Sequence, residues 1–179
     1  MNHLRPFLAT VFLTTMCCLQ SCKTPKESLP NKSLPNIVLI NVDDLGWKDL
    51  GFMGSEYYET PNLDALAKEG MIFYNAYAGA ANCAPSRACL LSGLNTPRHG
   101  VYTVSPSDRG NPKTRKLIPI QNTDHLSDTI YTLPQMLKSA GYITGSFGKW
   151  HVGNDPKEQG IDVNVGGSTK GPSIRYIPL

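Results

Sequence analysis

Seven residues near the start of the chain, Asn36-Ile37-Val38-Leu39-Ile40-Asn41-Val42, make an almost unbroken apolar, β-branched run. A run without polar alternation suits a strand covered on both faces, which belongs to parallel or mixed sheets flanked by helices rather than to half-solvated antiparallel ones. An α/β fold is therefore expected. Asp43 and Asp44 follow the run directly, and the crevice beyond the carboxyl end of such a strand is where open α/β sheets bind ligands. Two adjacent carboxylates repel each other and are best tolerated with a cation between them. A solvated acidic turn is the competing reading.

Helix and strand patterns then alternate. Thr60 and Pro61 open a helix that Gly70 closes, with Leu63, Leu66 and Ala67 as its buried stripe. Met71 to Tyr77 reads as the next strand. Thr132, Pro134 and Gly141 bracket another helix, in which Leu133, Met136, Leu137 and Ala140 recur at helical spacing. Tyr142 to Phe147 leads back into the sheet, and Gly148-Lys149-Trp150-His151 leaves it.

Between the two helices lies Cys83-Ala84-Pro85-Ser86-Arg87-Ala88-Cys89-Leu90-Leu91-Ser92-Gly93. Pro85 fits the first turn of a helix and Gly93 its left-handed cap. Cys83 would then sit where unpaired backbone N–H groups and the helix dipole favour negative charge. A buried thiol on an ordinary amphipathic helix is the plainer alternative. A Cys83–Cys89 disulfide would have to span almost two helical turns, too far for the Cα separation it requires. The spacing is not that of a zinc knuckle either, so Cys89 reads as a small core residue.

Cys83, Pro85, Ser86 and Arg87, trailed by Leu91-Ser92-Gly93, resemble the C-x-P-S-R signature of the type I (formylglycine-dependent) sulfatases, in the alkaline-phosphatase-like superfamily. Asp43-Asp44-Leu45-Gly46-Trp47, forty residues earlier, resembles that superfamily's metal-binding element. The Pro61 to Gly70 segment resembles the family's N-terminal scaffold, and Gly141 through His151 its second signature. The resemblance implies an alkaline-phosphatase-like α/β fold, a mixed and mostly parallel sheet flanked by helices. It also implies a sulfuric ester hydrolase acting on an aryl or carbohydrate sulfate. Cys83 would be oxidised to formylglycine by a maturation enzyme and hydrated to a geminal diol. One hydroxyl would attack sulfur while the ester oxygen departs, and the other would collapse the adduct back to the aldehyde and release sulfate. Asp43 and Asp44, with the modified Cys83, would hold Ca²⁺. Arg87 would steady the diol, Lys149 would contact sulfate, and His151 would accept the diol proton. The cations Arg98, Arg109, Lys113, Arg115 and Lys116, in an irregular stretch from Thr96 to His125, read as a solvated loop in preference to a grip on a sulfated sugar chain.

The resemblance runs from Asn36 to about Gly166, the N-terminal portion of a sulfatase domain, so an incomplete fold is expected, inactive by itself. Two other readings stay open: a phosphonate or phosphate ester hydrolase of the same superfamily, and a non-enzymatic lipoprotein remnant.

Arg5, an uncharged and mostly apolar run from Phe7 to Leu19, and Ser21-Cys22 form a secretory signal resembling that of a bacterial lipoprotein, with Cys22 lipidated. The expected organisation is a signal over 1–21, a flexible tether over 22–35 and the catalytic portion over 36–179. This predicts a lipid-anchored protein of the bacterial cell envelope, in the periplasm or on the outer-membrane surface. Cys17 and Cys18 would leave with the signal. Cleavage before Cys22 removes Arg5 and lowers the net charge from +3 to +2, too little to argue for nucleic acid.

Overall fold

The computed structural model describes residues 33–108, 110–153 and 155–168. Cys22, the signal over 1–21 and the tether up to residue 32 lie outside them, as does Arg109. The chain divides into two units, Met1–Asn41 and Val42–Leu179. Residues 33–41, the described part of the first, carry no helix or strand, and Leu34, Ile37, Val38, Leu39 and Ile40 are exposed. The strand expected over Asn36–Val42 is thus not formed. A strand of that composition persists only where neighbours complete its hydrogen-bond ladder and cover its faces. Among the described residues none pairs with it.

The second unit begins with a 3₁₀ turn, Gly51–Met53, docked on helix α1, Pro61–Glu69. Thr60 and Pro61 open α1 as the sequence indicates, but the Thr60 hydroxyl does not cap it. It accepts from Gly51 N at 2.8 Å and donates to Asp64 Oδ1, which also accepts from Phe52 N at 2.9 Å. Leu63 and Leu66 are exposed, so the stripe expected to be buried is uncovered among the described residues. The strand expected over Met71–Tyr77 is also absent: these residues form a turn and irregular backbone, with Met71, Phe73, Tyr74 and Tyr77 exposed.

Helix α2, Cys83–Ser92, is closed by Gly93 at φ +67°, as its sequence demands. The short helix α3, Thr96–His99, packs on it. Helix α4, Leu133–Ser139, starts after Thr132, whose N–H is taken by Gln135 Oε1 at 2.8 Å. The Thr132 hydroxyl bonds Gln159 O at 2.8 Å instead. Strand β1, Gly145–Phe147, pairs in parallel with β2, Val163–Val165, with Ser146 opposite Asn164. The crossover between them carries Lys149 and His151 and a 3₁₀ turn, Pro156–Gln159. Helices beside a parallel sheet match the α/β fold expected for the N-terminal part of an alkaline-phosphatase-like domain.

The core is small and lies under α2 and the crossover: Ala84, Ala88, Val101, Leu126, Trp150, Val152 and Ile161, with Leu91, Val104 and Ile130 packed against it. Apolar burial there anchors α2 and the crossover to each other. The irregular stretch is held by Asn122, whose Oδ1 accepts from Tyr102 N and Thr103 N and whose Nδ2 donates to Thr103 O. Arg98, Lys113 and Lys116 are exposed, in keeping with a solvated loop.

Candidate active site

Cys83 occupies the first position of α2, and Arg87 follows one turn later on the same face. Arg87 Nη1 donates to Lys149 O at 2.6 Å and Nη2 to Asp43 Oδ1 at 3.3 Å. Lys149 Nζ donates to Asp43 Oδ2 at 2.5 Å and lies within the electrostatic reach of Cys83. His151, two residues on, sits in the field of Lys149, Arg87 and Asp43. The structure thus gathers Asp43, Cys83, Arg87, Lys149 and His151 from three parts of the chain. Asp44 stands apart: exposed, with no hydrogen bond or ion pair among the described residues.

The backbone that aims these groups is unusual. Asp44 at φ +57° and His151 at φ +67° are the non-glycine residues with left-handed backbone among those described. Such conformations cost energy and persist where surrounding structure holds them. His151 N is held by Ser168 O at 3.1 Å, and the turn before Lys149 is made at Gly148, φ +98°, whose N–H bonds Val165 O at 2.8 Å.

Electrostatics follow from the contacts. Burial would raise the Asp43 carboxyl pKa, but the Lys149 bond and charge, then those of Arg87, outweigh it and hold it below the usual range. Burial likewise works against the Lys149 ammonium, yet Asp43 and Cys83 overcome it and lift its pKa above the ordinary lysine value. His151 is pushed down, first by burial and then by the Lys149 and Arg87 charges, against a small opposing effect of Asp43. Its imidazole is therefore neutral near pH 7, and its buried Nδ1 has no partner among the described residues. A neutral imidazole beside two cations can accept a proton; the cations can hold an anion.

The donor set for a metal is short. Both oxygens of Asp43 face side-chain cations, and among the described residues no three His, Cys, Asp or Glu side chains come together to hold an ion. Two carboxylates cannot supply the six to eight oxygens that Ca²⁺ takes.

Sequence reasoning overlooked His99. It is buried; Nδ1 accepts from Val101 N at 3.1 Å, which leaves Nε2–H to face Cys89 Sγ at 3.3 Å. Burial lowers its pKa and raises that of the Cys89 thiol, so both are neutral. Cys83 and Cys89 are both free. Cys89 packs so closely on Gly79 that a Cβ there would fall 2.5 Å from its own. No spacing in the sequence links Gly79, Cys89 and His99; the fold does.

A family model described as Sulfatase matches residues 35–172. Human N-acetylgalactosamine-6-sulfatase is 42% identical over 107 residues, covering 60% of this chain and 20% of that protein. A sulfatase of Formosa agariphila is 38% identical over 119 residues, covering 63% and 21%. The solved structure of Ps i-CgsB in complex with k-i-k-neocarrahexaose aligns with a TM-score of 0.54 at 34% identity, over 67% of this chain and 25% of that one. The chain thus spans about a fifth of the length of the curated relatives it matches.

Proposed function

The chain belongs to the sulfatase family, and from that premise we propose that its site removes sulfate from an aryl or carbohydrate sulfate ester, with Cys83 as the precursor of a formylglycine nucleophile. The observation that carries the reading is Cys83 at the mouth of α2, with Lys149 joined to that helix through Arg87 and Asp43. Oxidation there supplies an aldehyde hydrate whose hydroxyl can attack sulfur. A sulfate ester presents negative oxygens, and the helix N-terminus and Lys149 are the groups to receive them. Neutral His151 is the acceptor for the hydrate's remaining proton. Arg87 acts as a positioning residue: through Lys149 O and Asp43 it ties the helix bearing Cys83 to the loop bearing Lys149 and His151.

Asp43 and Asp44 would offer the family's Ca²⁺ hard carboxylate oxygens, the right kind of donor but too few to hold it. The described residues do not complete such a site, and no step here depends on the ion.

The carbohydrate class draws support from the relatives, one named for a sulfated amino sugar and another solved with an oligosaccharide. A lipoprotein-like signal over 1–21, with Cys22 as the lipidated residue after it, supports a lipid-anchored place in the cell envelope. Its other partner is the maturation enzyme that oxidises Cys83.

Mass analysis of the Cys83 peptide after co-expression with a formylglycine-generating enzyme tests the assignment. The aldehyde form is expected, and an untouched thiol rules it out. Aryl sulfate and aryl phosphate assayed side by side then separate sulfatase from phosphate ester hydrolase, with preference for phosphate overturning the substrate class. Cys83→Ala is expected to abolish any turnover.

A further inference from the structure

The irregular stretch between α3 and α4 folds around a cavity of about 310 Å³. That volume falls within the range of small-molecule sites, roughly 300–1,000 Å³. Pro106, Pro119 and Ile120 give the cavity an apolar wall. Its polar lining includes the Asp108 carboxylate, together with the Ser107 hydroxyl and the Gln121 amide, which have no partner among the described residues. Arg115 Nη2 is 3.9 Å from Asp108 Oδ2, beyond hydrogen-bond length, and is bonded instead to the main-chain oxygens of Asp108 and Gly110.

We propose that this cavity is a saccharide subsite, which holds an unsulfated sugar unit of the substrate while the sulfated unit lies at Cys83. The inference rests on the sulfatase reading and adds to it the chemistry of the neighbouring unit. A pyranose ring offers apolar C–H faces and a rim of hydroxyls. The proline rings and Ile120 can cover the faces, and Gln121 can both donate to hydroxyls and accept from them. Asp108 can accept from two neighbouring hydroxyls at once, in charge-assisted bonds. Charge decides against a sulfated occupant. Among the described residues the lining holds one carboxylate and no basic side chain, so a sulfate there would share the cavity with Asp108 and gain no cationic donor from its wall.

Hydrogen bonds fix where the cavity lies. Asn122, also in its wall, accepts from Tyr102 N and Thr103 N at 2.7 and 3.0 Å and donates to Thr103 O at 3.1 Å. Thr103 Oγ1 in turn accepts from Asn82 Nδ2 at 2.9 Å. Asn82 is the residue before Cys83, at the N-cap of α2. One bonded chain thus runs from the cavity wall to the cysteine helix, and a short oligosaccharide can span both.

Amide NMR of the ¹⁵N-labelled full 179-residue chain, titrated with galactotetraose and with N-acetylchitotetraose, tests this. Both sugars are neutral. Saturable shifts at Ser107, Asp108 and Gln121 are expected with at least one of them, and their absence with both overturns the proposal. Asp108→Ala is expected to weaken that binding about tenfold or more and Gln121→Ala about threefold, the losses for a charged and a neutral hydrogen bond. Both side chains are exposed, so the variants keep the fold, and unchanged affinity in both overturns the proposal. The same tetrasaccharide carrying sulfate on every unit is expected to bind the cavity no more tightly than the neutral one; tighter binding overturns the choice of an unsulfated unit. A nitroxide on the end of the bound sugar should broaden the amides of Asn82 and Cys83 together with those of the cavity. Broadening of the cavity alone overturns its place beside Cys83. The titration is expected to run unchanged in Cys83→Ala, because the cavity does not use the thiol. That keeps its outcome separate from the sulfatase reading, which stands or falls on oxidation of Cys83.

Discussion

Arg87 and Lys149 lie 62 residues apart, and the Arg87 guanidinium donates to the Lys149 main-chain carbonyl at 2.6 Å. This one bond joins the helix of the cysteine motif to the loop of the lysine–histidine motif. A lysine at position 87 could reach Asp43 or the carbonyl but not both, because it lacks the fork of donors. Arg87→Lys is therefore expected to lower unfolding stability by about 1.5–3 kcal/mol, the range for a hydrogen bond involving a charged group. Urea denaturation measures it. A loss below about 0.5 kcal/mol, the scatter of ordinary surface changes, would mean that the bond does not order the site.

Asp43 and Lys149 stabilise each other over a defined pH span. Asp43 has its pKa lowered by folding, so its contribution is present above the ordinary 3.8 and is lost as pH falls through the lower folded value. Lys149 has its pKa raised, so its contribution is complete below the ordinary 10.5 and is lost as pH rises through the higher folded value. The difference in Tm between the unaltered chain and Asp43→Asn should be widest at neutral pH and narrow towards both extremes. A difference that stays constant from acid to alkali would remove the ion pair from the account.

Much of the site was legible in the sequence because its residues stand next to strong local signals. Cys83 precedes Pro85 and a glycine-closed helix, and Lys149 and His151 follow a glycine that turns the chain at positive φ. Local stereochemistry sets those features, and they formed as read. Asn36–Val42 and Met71–Tyr77 read as strands with equal clarity but did not become strands. A strand depends on partners elsewhere, and among the described residues the sheet holds β1 and β2 alone. The same holds for Leu63 and Leu66, whose spacing is right for burial but whose cover is absent among the described residues. His99 and Gln159 were invisible for the opposite reason. Their importance lies in long-range bonds, from Gln159 Nε2 to Leu126 O at 3.2 Å for example, that no short motif announces.

Two histidines should make the fold sensitive to mild acid. His99 is lowered by burial; His151 is lowered by burial and by the Lys149 and Arg87 charges, with Asp43 opposing. Each binds its proton more readily unfolded than folded below the ordinary value of 6.5. Stability is therefore expected to fall as pH drops from 7.5 to 5.5 and to be flat just above that interval. His151→Gln should reduce the acid slope, and combining it with His99→Gln should reduce it further. Thermal unfolding at closely spaced pH values reads this directly. An unchanged slope in both variants would assign the acid sensitivity to other groups.

Leu126 and Leu66 test where the packing energy lies. Leu126 is completely buried in the core under the Lys149–His151 loop, and its N–H bonds Val152 O at 2.9 Å. Leu66, on α1, is 62% exposed despite sitting in a well-formed helical stripe. Truncating Leu126 to Ala removes contacts from a filled interior and is expected to cost about 2–5 kcal/mol. Truncating Leu66 to Ala removes a side chain that already faces water and improves helix propensity slightly, so a change within about 0.5 kcal/mol is expected. Because the core sits under the site, Leu126→Ala should also loosen Lys149 and His151, seen as faster amide exchange at Val152, while Leu66→Ala should leave them unmoved. A Leu66 loss as large as that of Leu126 would mean that α1 is covered in solution, and that the apolar stripe read from its sequence has found its partner after all.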